Sequence, residues 1–255
     1  MKWHRIAALL EKYWYQTTNS IDRMFDVFYW PLIGIIVFGF TTLFIEEIAN
    51  FPNIYVYLLG GLLMWILFER VQQDIGIYIL EDFWSRNIAN SFITPVKESE
   101  LCLSVVLFGI IRSVISFIIM VILGIVAYNF NVFNGHFSAF LFTVPLFIFG
   151  WGVGIIITGL IFKFGTRVQI FAWSITYLLQ PVAAAFYPKE TLPVILQKIA
   201  LLFPLVYTFE GYRLAYQGIF SPSLFFTAIA LGLAYILWDI GTSDTPFARR
   251  GNRDY

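Results

Sequence analysis

The stretch from Leu101 to Tyr128 runs for 28 residues with a single charge, Arg112. A helix needs roughly 20 mostly apolar residues to cross the ~30 Å hydrocarbon core of a bilayer, so this run is long enough to span one. Further apolar runs are Val27–Ile45, a segment from Ile54 that is apolar to Phe68, Phe137–Phe162, Val168–Tyr187 and Ile219–Trp238. Hydrophobic residues make up 59% of the 255-residue chain and charged ones 13%. A water-soluble domain carries about 25% charged residues, and one core of this size could not hide so much apolar surface. The chain therefore reads as an all-α integral membrane protein with six spans, near 27–45, 54–74, 101–128, 137–162, 168–187 and 219–238. Glu69-Arg70-Val71-Gln72-Gln73-Asp74 marks the expected polar end of the second span.

A seventh run, Leu192–Tyr207, is short and broken by Pro193, Gln197, Lys198 and Pro204. It reads as a re-entrant or interfacial segment. Charge supports that choice. With six spans, one side holds Lys2, Arg5, Lys12, Arg23, Arg70, Arg86, Lys97, Lys163, Arg167, Arg249, Arg250 and Arg253, twelve of the sixteen cations. The other side holds Lys189, Lys198 and Arg213. The positive-inside rule then predicts both termini in the cytoplasm; a seventh span would export the three C-terminal arginines. No linker divides the chain, so a single domain over 1–255 is expected.

The first twenty residues are too interrupted by charge for a signal peptide. Trp3, Ile6, Ala7, Leu10, Trp14 and Thr17 fall at helical spacing, with Lys2, Arg5 and Lys12 on other faces. This is the pattern of an amphipathic helix lying in the membrane interface; the alternative is a helix packed on the protein. The segment 78–96 is also amphipathic. Leu80, Phe83, Trp84, Ile88 and Phe92 share one helical face, and Pro95 ends it. It offers either a docking surface to a cytoplasmic partner or a second interfacial helix.

Several chemistries are excluded. The sequence has no P-loop, no H-E-x-x-H and no G-x-S-x-G. The Gly150-Trp151-Gly152-Val153-Gly154 cluster lies inside a span, where Gly150 and Gly154 form a small-xxx-small packing pair. One cysteine, Cys102, and two distant histidines, His4 and His136, give no ligand set for zinc or haem. Sixteen acids balance the sixteen cations, and no basic surface suggests nucleic acid. Arg112 lies more than two turns inside its span and must face the protein interior or snorkel, with Glu69, Asp74 or Asp239 as partner by depth. Glu210 and Arg213, three apart, could pair on one helical turn, either as local neutralisation or as a polar lining at an exit. Trp173 and Tyr177 lie deeper, in the fifth span, where aromatic faces either carry sugars or apolar chains along a path or serve as lipid-facing filler.

Taken in order, these features resemble the ABC-2 type transporter permeases. The resemblance is carried by Pro188-Lys189-Glu190-Thr191-Leu192-Pro193, then Pro204-Leu205-Val206-Tyr207 and Glu210-Gly211-Tyr212-Arg213, together with the Glu81–Val96 stretch ending in Thr94-Pro95-Val96. It implies a non-enzymatic membrane subunit of an exporter that dimerises, most simply with a copy of itself, and docks cytoplasmic ATPase subunits holding ATP and Mg²⁺. This chain itself would hold no cofactor. By resemblance, a coupling helix near 83–93 contacts the ATPase through Trp84, Arg86, Asn87, Ile88, Asn90, Phe92 and Pro95. The re-entrant segment near 188–210 caps the exit, so that Trp173, Tyr177, Tyr207, Glu210 and Arg213 line the path or its mouth. The compact size is similar to polysaccharide and drug exporters, and implies an inner-membrane protein handling a lipid-linked glycan or a small hydrophobic compound. A passive channel or scaffold, or a lipid-modifying enzyme, are the rival classes.

Overall fold

The computed structural model describes residues 2–49, 54–84, 98–134 and 136–242. Among them every regular element is helical. The chain runs through α1 (Trp3–Thr18) and α2 (Ile21–Ala49), then a π-helical turn (Val56–Gly60) that leads into α3 (Gly61–Trp84). After α3 come α4 (Glu98–Tyr128), α5 (Phe137–Leu141) and α6 (Thr143–Phe164). A 3₁₀ turn (Gly165–Val168) then leads into α7 (Ile170–Leu179). A second 3₁₀ turn (Lys189–Thr191) precedes α8 (Val194–Ala200), α9 (Pro204–Tyr216) and α10 (Pro222–Thr242).

The core forms around α3. Its Gly61–Phe68 end is buried on nearly every side, including Leu63, Met64, Trp65 and Phe68, as expected of a helix that is apolar all round. It packs mainly between α4 and α6, with α10 against the far side of α6 and α9 against α10. The contact with α6 depends on the glycine pair. A Cβ on Gly154 would stand 2.9 Å from the Gln72 carbonyl oxygen, and one on Gly150 would stand 2.7 Å from Val71 Cγ1. The backbones approach that closely because neither residue has a side chain. Gly154→Val is expected to cost about 1–3 kcal/mol through overpacking, read as a lower melting temperature of the detergent-purified protein. Unchanged melting would mean that α3 and α6 do not meet here.

Among the described residues, three stretches are long and apolar enough to cross a membrane: Arg23–Ile48, Leu103–Tyr128 and Phe137–Ile161. A fourth is reached if α8 and α9 count as one span, but they meet at 92°. The apolar part of α10, Pro222–Trp238, is shorter. The Arg23–Ile48 window is 22% buried against 56% for Phe137–Ile161, so α2 is peripheral. Its outer face carries Phe25, Phe28, Trp30, Val37, Phe40 and Phe44, a surface suited to lipid and not to water.

Two of the expected boundaries shift. The helix that contains α3 does not stop at Glu69–Asp74 but continues to Trp84. The polar run is tolerated because it is satisfied inside the bundle: Gln72 bonds to α7 and Asp74 to α4. Ile75, Tyr78 and Leu80 beyond it are themselves buried. The expected fifth span, 168–187, is helical only over the ten residues of α7, and the chain turns through 180–187. Pro181 brings no N–H to continue the ladder, and Ala184 sits at φ 53°.

α1 is docked on the bundle and also presents apolar residues outward. Ile6 and Tyr13 are buried, and Tyr13 lies 5.1 Å from the Tyr78 ring and 5.8 Å from Phe108. Arg5 pairs with Glu100 at 3.5 Å, and the Thr17 and Tyr78 hydroxyls are 3.0 Å apart. Trp3 and Trp14 remain exposed, so α1 is packed on the protein along one face and keeps these two indoles on its outer side.

Candidate functional site

Among the described residues, three polar clusters inside this apolar bundle bear on the expected site. The first lies between α1, α3 and α4. Arg112 of α4 forms an ion pair with Asp74 at 3.2 Å and donates to the Tyr78 hydroxyl at 2.9 Å. All three residues are buried. The Tyr78 ring also receives the Arg23 and Arg112 guanidinium groups, each 5.6 Å from its centroid, and Arg23 pairs with Glu81. Tyr78 thus joins four helices. Its role was invisible in the sequence, where it is one of 14 tyrosines.

The second place is where the chain reverses after α7. Arg213, on α9, donates to the backbone carbonyls of Ala184, Ala185 at 2.9 Å and Tyr187 at 3.2 Å. Its guanidinium carbon stands 4.4 Å from the Tyr57 ring centroid. Glu210, one turn earlier, pairs with Lys189 at 2.9 Å. The Glu210–Arg213 pair allowed by their spacing is therefore replaced by two separate attachments, because the 180–191 segment folds back over α9 and supplies both a cation and carbonyls. The Glu210 carboxylate, hydrogen-bonded to Lys189, holds that ammonium above the usual lysine range. The Tyr207 hydroxyl donates to the Leu201 carbonyl at 3.1 Å, across the bend between α8 and α9.

The third place is the α3–α7 contact. Thr176 donates to the Gln72 side chain at 2.9 Å in a buried setting. The Trp84 and Trp173 rings stack with centroids 6.1 Å apart and planes 10° apart, and Trp84 Nε1 donates to Gln169 Oε1 at 3.1 Å. Tyr177 is exposed one turn beyond Trp173. Of the residues expected to meet an ATPase, Trp84 turns its ring onto α7. Arg86, Asn87, Ile88, Asn90, Phe92 and Pro95 lie outside the described residues. Among the described residues no cluster of three His, Cys, Asp or Glu side chains could hold a metal ion.

The chain matches the family model of the ABC-2 type transporter over residues 7–216. It belongs to the ABC-2 type transporter family. A search of curated proteins returned no match. The family is one of transporter membrane components, which work with an ABC ATPase subunit. In this ABC-2 chain the matched region reaches the last residue of α9. All three polar places therefore lie within the family's part of the protein, and α10 follows it.

Proposed function

We propose that this chain is the membrane-spanning subunit of an ATP-driven exporter of the inner membrane, moving a lipid-linked glycan out of the cytoplasm. The reading is carried by the family match across 7–216. A separate nucleotide-binding subunit holds ATP and Mg²⁺, and a second copy of this chain completes the path. Six spans are assigned: α2, α3, α4, α6, α7 with the turn that follows it, and α10. The α8–α9 elbow is re-entrant at the outer face, and both termini are cytoplasmic. The charge asymmetry of the connecting segments supports that orientation.

In this reading the segment near 83–93 is the coupling helix. It follows directly from α3, the most buried helix, whose base is joined to α4 by the Arg112–Asp74 pair. ATP binding to the partner would displace that base and favour one of two arrangements of the bundle, a population shift driven by differential binding.

The test is a detergent pull-down of the tagged chain with its host's ATPases, alongside transport. Arg86→Glu and Phe92→Ala are each expected to lower co-purified ATPase and transport by about tenfold or more, as loss of a central interface anchor does, with membrane insertion unchanged. If no ATPase is retained by the wild type in several mild detergents, the reading fails and a passive channel or scaffold takes its place.

A further inference from the structure

The turn between α6 and α7 carries two cations that the rest of the protein leaves unneutralised. Lys163 lies in the last turn of α6 and Arg167 in the 3₁₀ turn before α7, and both are exposed. No Asp or Glu occurs between Glu100 and Glu190. Among the described residues neither cation forms an ion pair. Arg5 of α1 and Arg23 of α2, by contrast, each meet a carboxylate, Glu100 and Glu81. Helix ends account for one of the two cations only. The free carbonyls at the end of α6 favour Lys163, whereas Arg167 stands ahead of α7, where the helix dipole disfavours a positive charge. Between them the chain turns at Gly165, with φ 68°. A Cβ there would meet nothing within 4 Å, so the space over the turn is open.

An apolar stripe leads away from this corner. Ile170 and Tyr177, like Phe171 and Leu178, are seven residues apart, so the four share one face of α7. All are exposed, Ile170 by 64% and Leu178 by 65%. The stripe is roughly 12 Å long at the helical rise. Its direction is set by α3: Gln169 bonds to Trp84 and Thr176 to Gln72, so α7 runs from the end of α3 back towards its buried part. The membrane-length apolar window that includes α6 closes at Ile161, two residues before Lys163. The two cations therefore stand where hydrocarbon gives way to headgroups, and the stripe re-enters the hydrocarbon. Phe164, exposed in the turn itself, lies beneath the Lys163 ammonium, 5.3 Å from its ring centroid.

Water suits the cations and not the stripe; hydrocarbon suits the stripe and not the cations. A phospholipid suits both, with its phosphodiester at the corner and an acyl chain on the stripe. A zwitterionic headgroup would bring a further cation to a corner that already has two, whereas an anionic one is attracted by each of them. We infer that the α6–α7 turn is a seat for an anionic phospholipid of the cytoplasmic leaflet, its phosphodiester held by Lys163 and Arg167 and an acyl chain lying along Phe171 and Leu178. This goes beyond the exporter reading and borrows from it only that the turn faces the cytoplasm.

Native mass spectrometry of the detergent-purified full chain tests this with no ATPase present, by titration with phosphatidylglycerol, phosphatidylcholine and inorganic phosphate. Saturable binding of phosphatidylglycerol is expected, at least about tenfold tighter than phosphatidylcholine. Lys163→Gln and Arg167→Gln should each weaken phosphatidylglycerol by about fivefold and leave phosphatidylcholine unchanged. Lys163→Arg should keep the binding, and Leu178→Ser should weaken both lipids. Thermal melting of each variant separates lost binding from lost fold. The inference is overturned if the two lipids bind alike, or if both glutamine variants hold phosphatidylglycerol as the wild type does. Complete displacement of the lipid by inorganic phosphate would also overturn it, because the stripe would then contribute nothing. If the glutamine variants lose a co-purified ATPase while their lipid binding is unchanged, the turn belongs to the ATPase interface and the lipid seat falls. A wild type that binds phosphatidylglycerol through these cations yet retains no ATPase sinks the exporter reading alone.

Discussion

Arg213→Ala is expected to destabilise the protein by about 3–5 kcal/mol and to release the turn that follows α7. Hydrogen bonds from a charged donor are worth about 1.5–3 kcal/mol each, and a buried acceptor left unpaired costs a further ~1–3 kcal/mol. Arg213 supplies three such bonds, to Ala184, Ala185 and Tyr187, and a cation–π contact to Tyr57. These contributions are not additive, so the range is held below their sum. The turn needs this support because Ala184 has φ 53°, a left-handed conformation costing an L-residue with a Cβ roughly 1–2 kcal/mol. The other positive-φ residues that are not glycine, Asn129 and Asn134, belong to the residue type that tolerates it. Arg213→Lys keeps one cation on a flexible stem but loses the planar fork, and should fall between wild type and alanine. Ala184→Gly relaxes the strain and should recover part of the loss in an Arg213→Ala background. Melting followed by fluorescence-detected size exclusion measures all of these; an Arg213→Ala protein that melts with the wild type would show that the turn holds itself.

Arg112→Ala should be comparably severe, about 3–5 kcal/mol, since removing one member of a buried ion pair leaves the other charge in a low-dielectric interior. The Arg112–Asp74 pair sits where α3 passes α4, and Arg112 also donates to Tyr78. Replacing both ends by apolar side chains, Arg112→Leu with Asp74→Leu, is expected to restore most of the stability, because such pairs are often no better than a hydrophobic isostere. The double variant also separates structure from coupling. A well-folded double variant that still transports assigns the pair to stability; one that folds and retains the ATPase but does not transport assigns it to the transition between states. A single Arg112→Ala variant that melts normally would contradict the buried pairing itself.

The ion pair shows how far sequence reasoning reaches. Depth along a helix restricts Arg112 to Glu69, Asp74 or Asp239, since a buried cation demands a partner at its own level. Choosing Asp74 requires the rotation of α3 relative to α4, which no spacing rule supplies. Glu210 and Arg213 teach the converse. Their three-residue spacing permits a pair, but the 180–191 segment returns over α9 and brings Lys189 and three carbonyls into reach. The partner that prevails lies more than twenty residues away in sequence, so local geometry could not reveal it. The end of α3 lies beyond local reasoning for a related reason: Glu69–Asp74 looks like a helix end when each polar residue is assumed to seek water, yet the helix runs to Trp84. Inside the bundle Gln72 finds Thr176 and Asp74 finds Arg112, so the helix passes through.

Composition and periodicity alone decided that this chain is a membrane protein built from helices. The cost of exposing apolar surface to water, and of leaving backbone groups unpaired in lipid, permits little else. The order of its motifs pointed to the ABC-2 family, and the match across 7–216 bears that out. Only the tertiary structure decided that Tyr78 joins four helices and that Arg213 holds a strained turn. It alone showed that Trp84 stacks on Trp173 and donates to Gln169. Each of these depends on how helices distant in sequence are rotated and stacked, and hydrophobic burial drives them together without specifying which polar groups will then face one another.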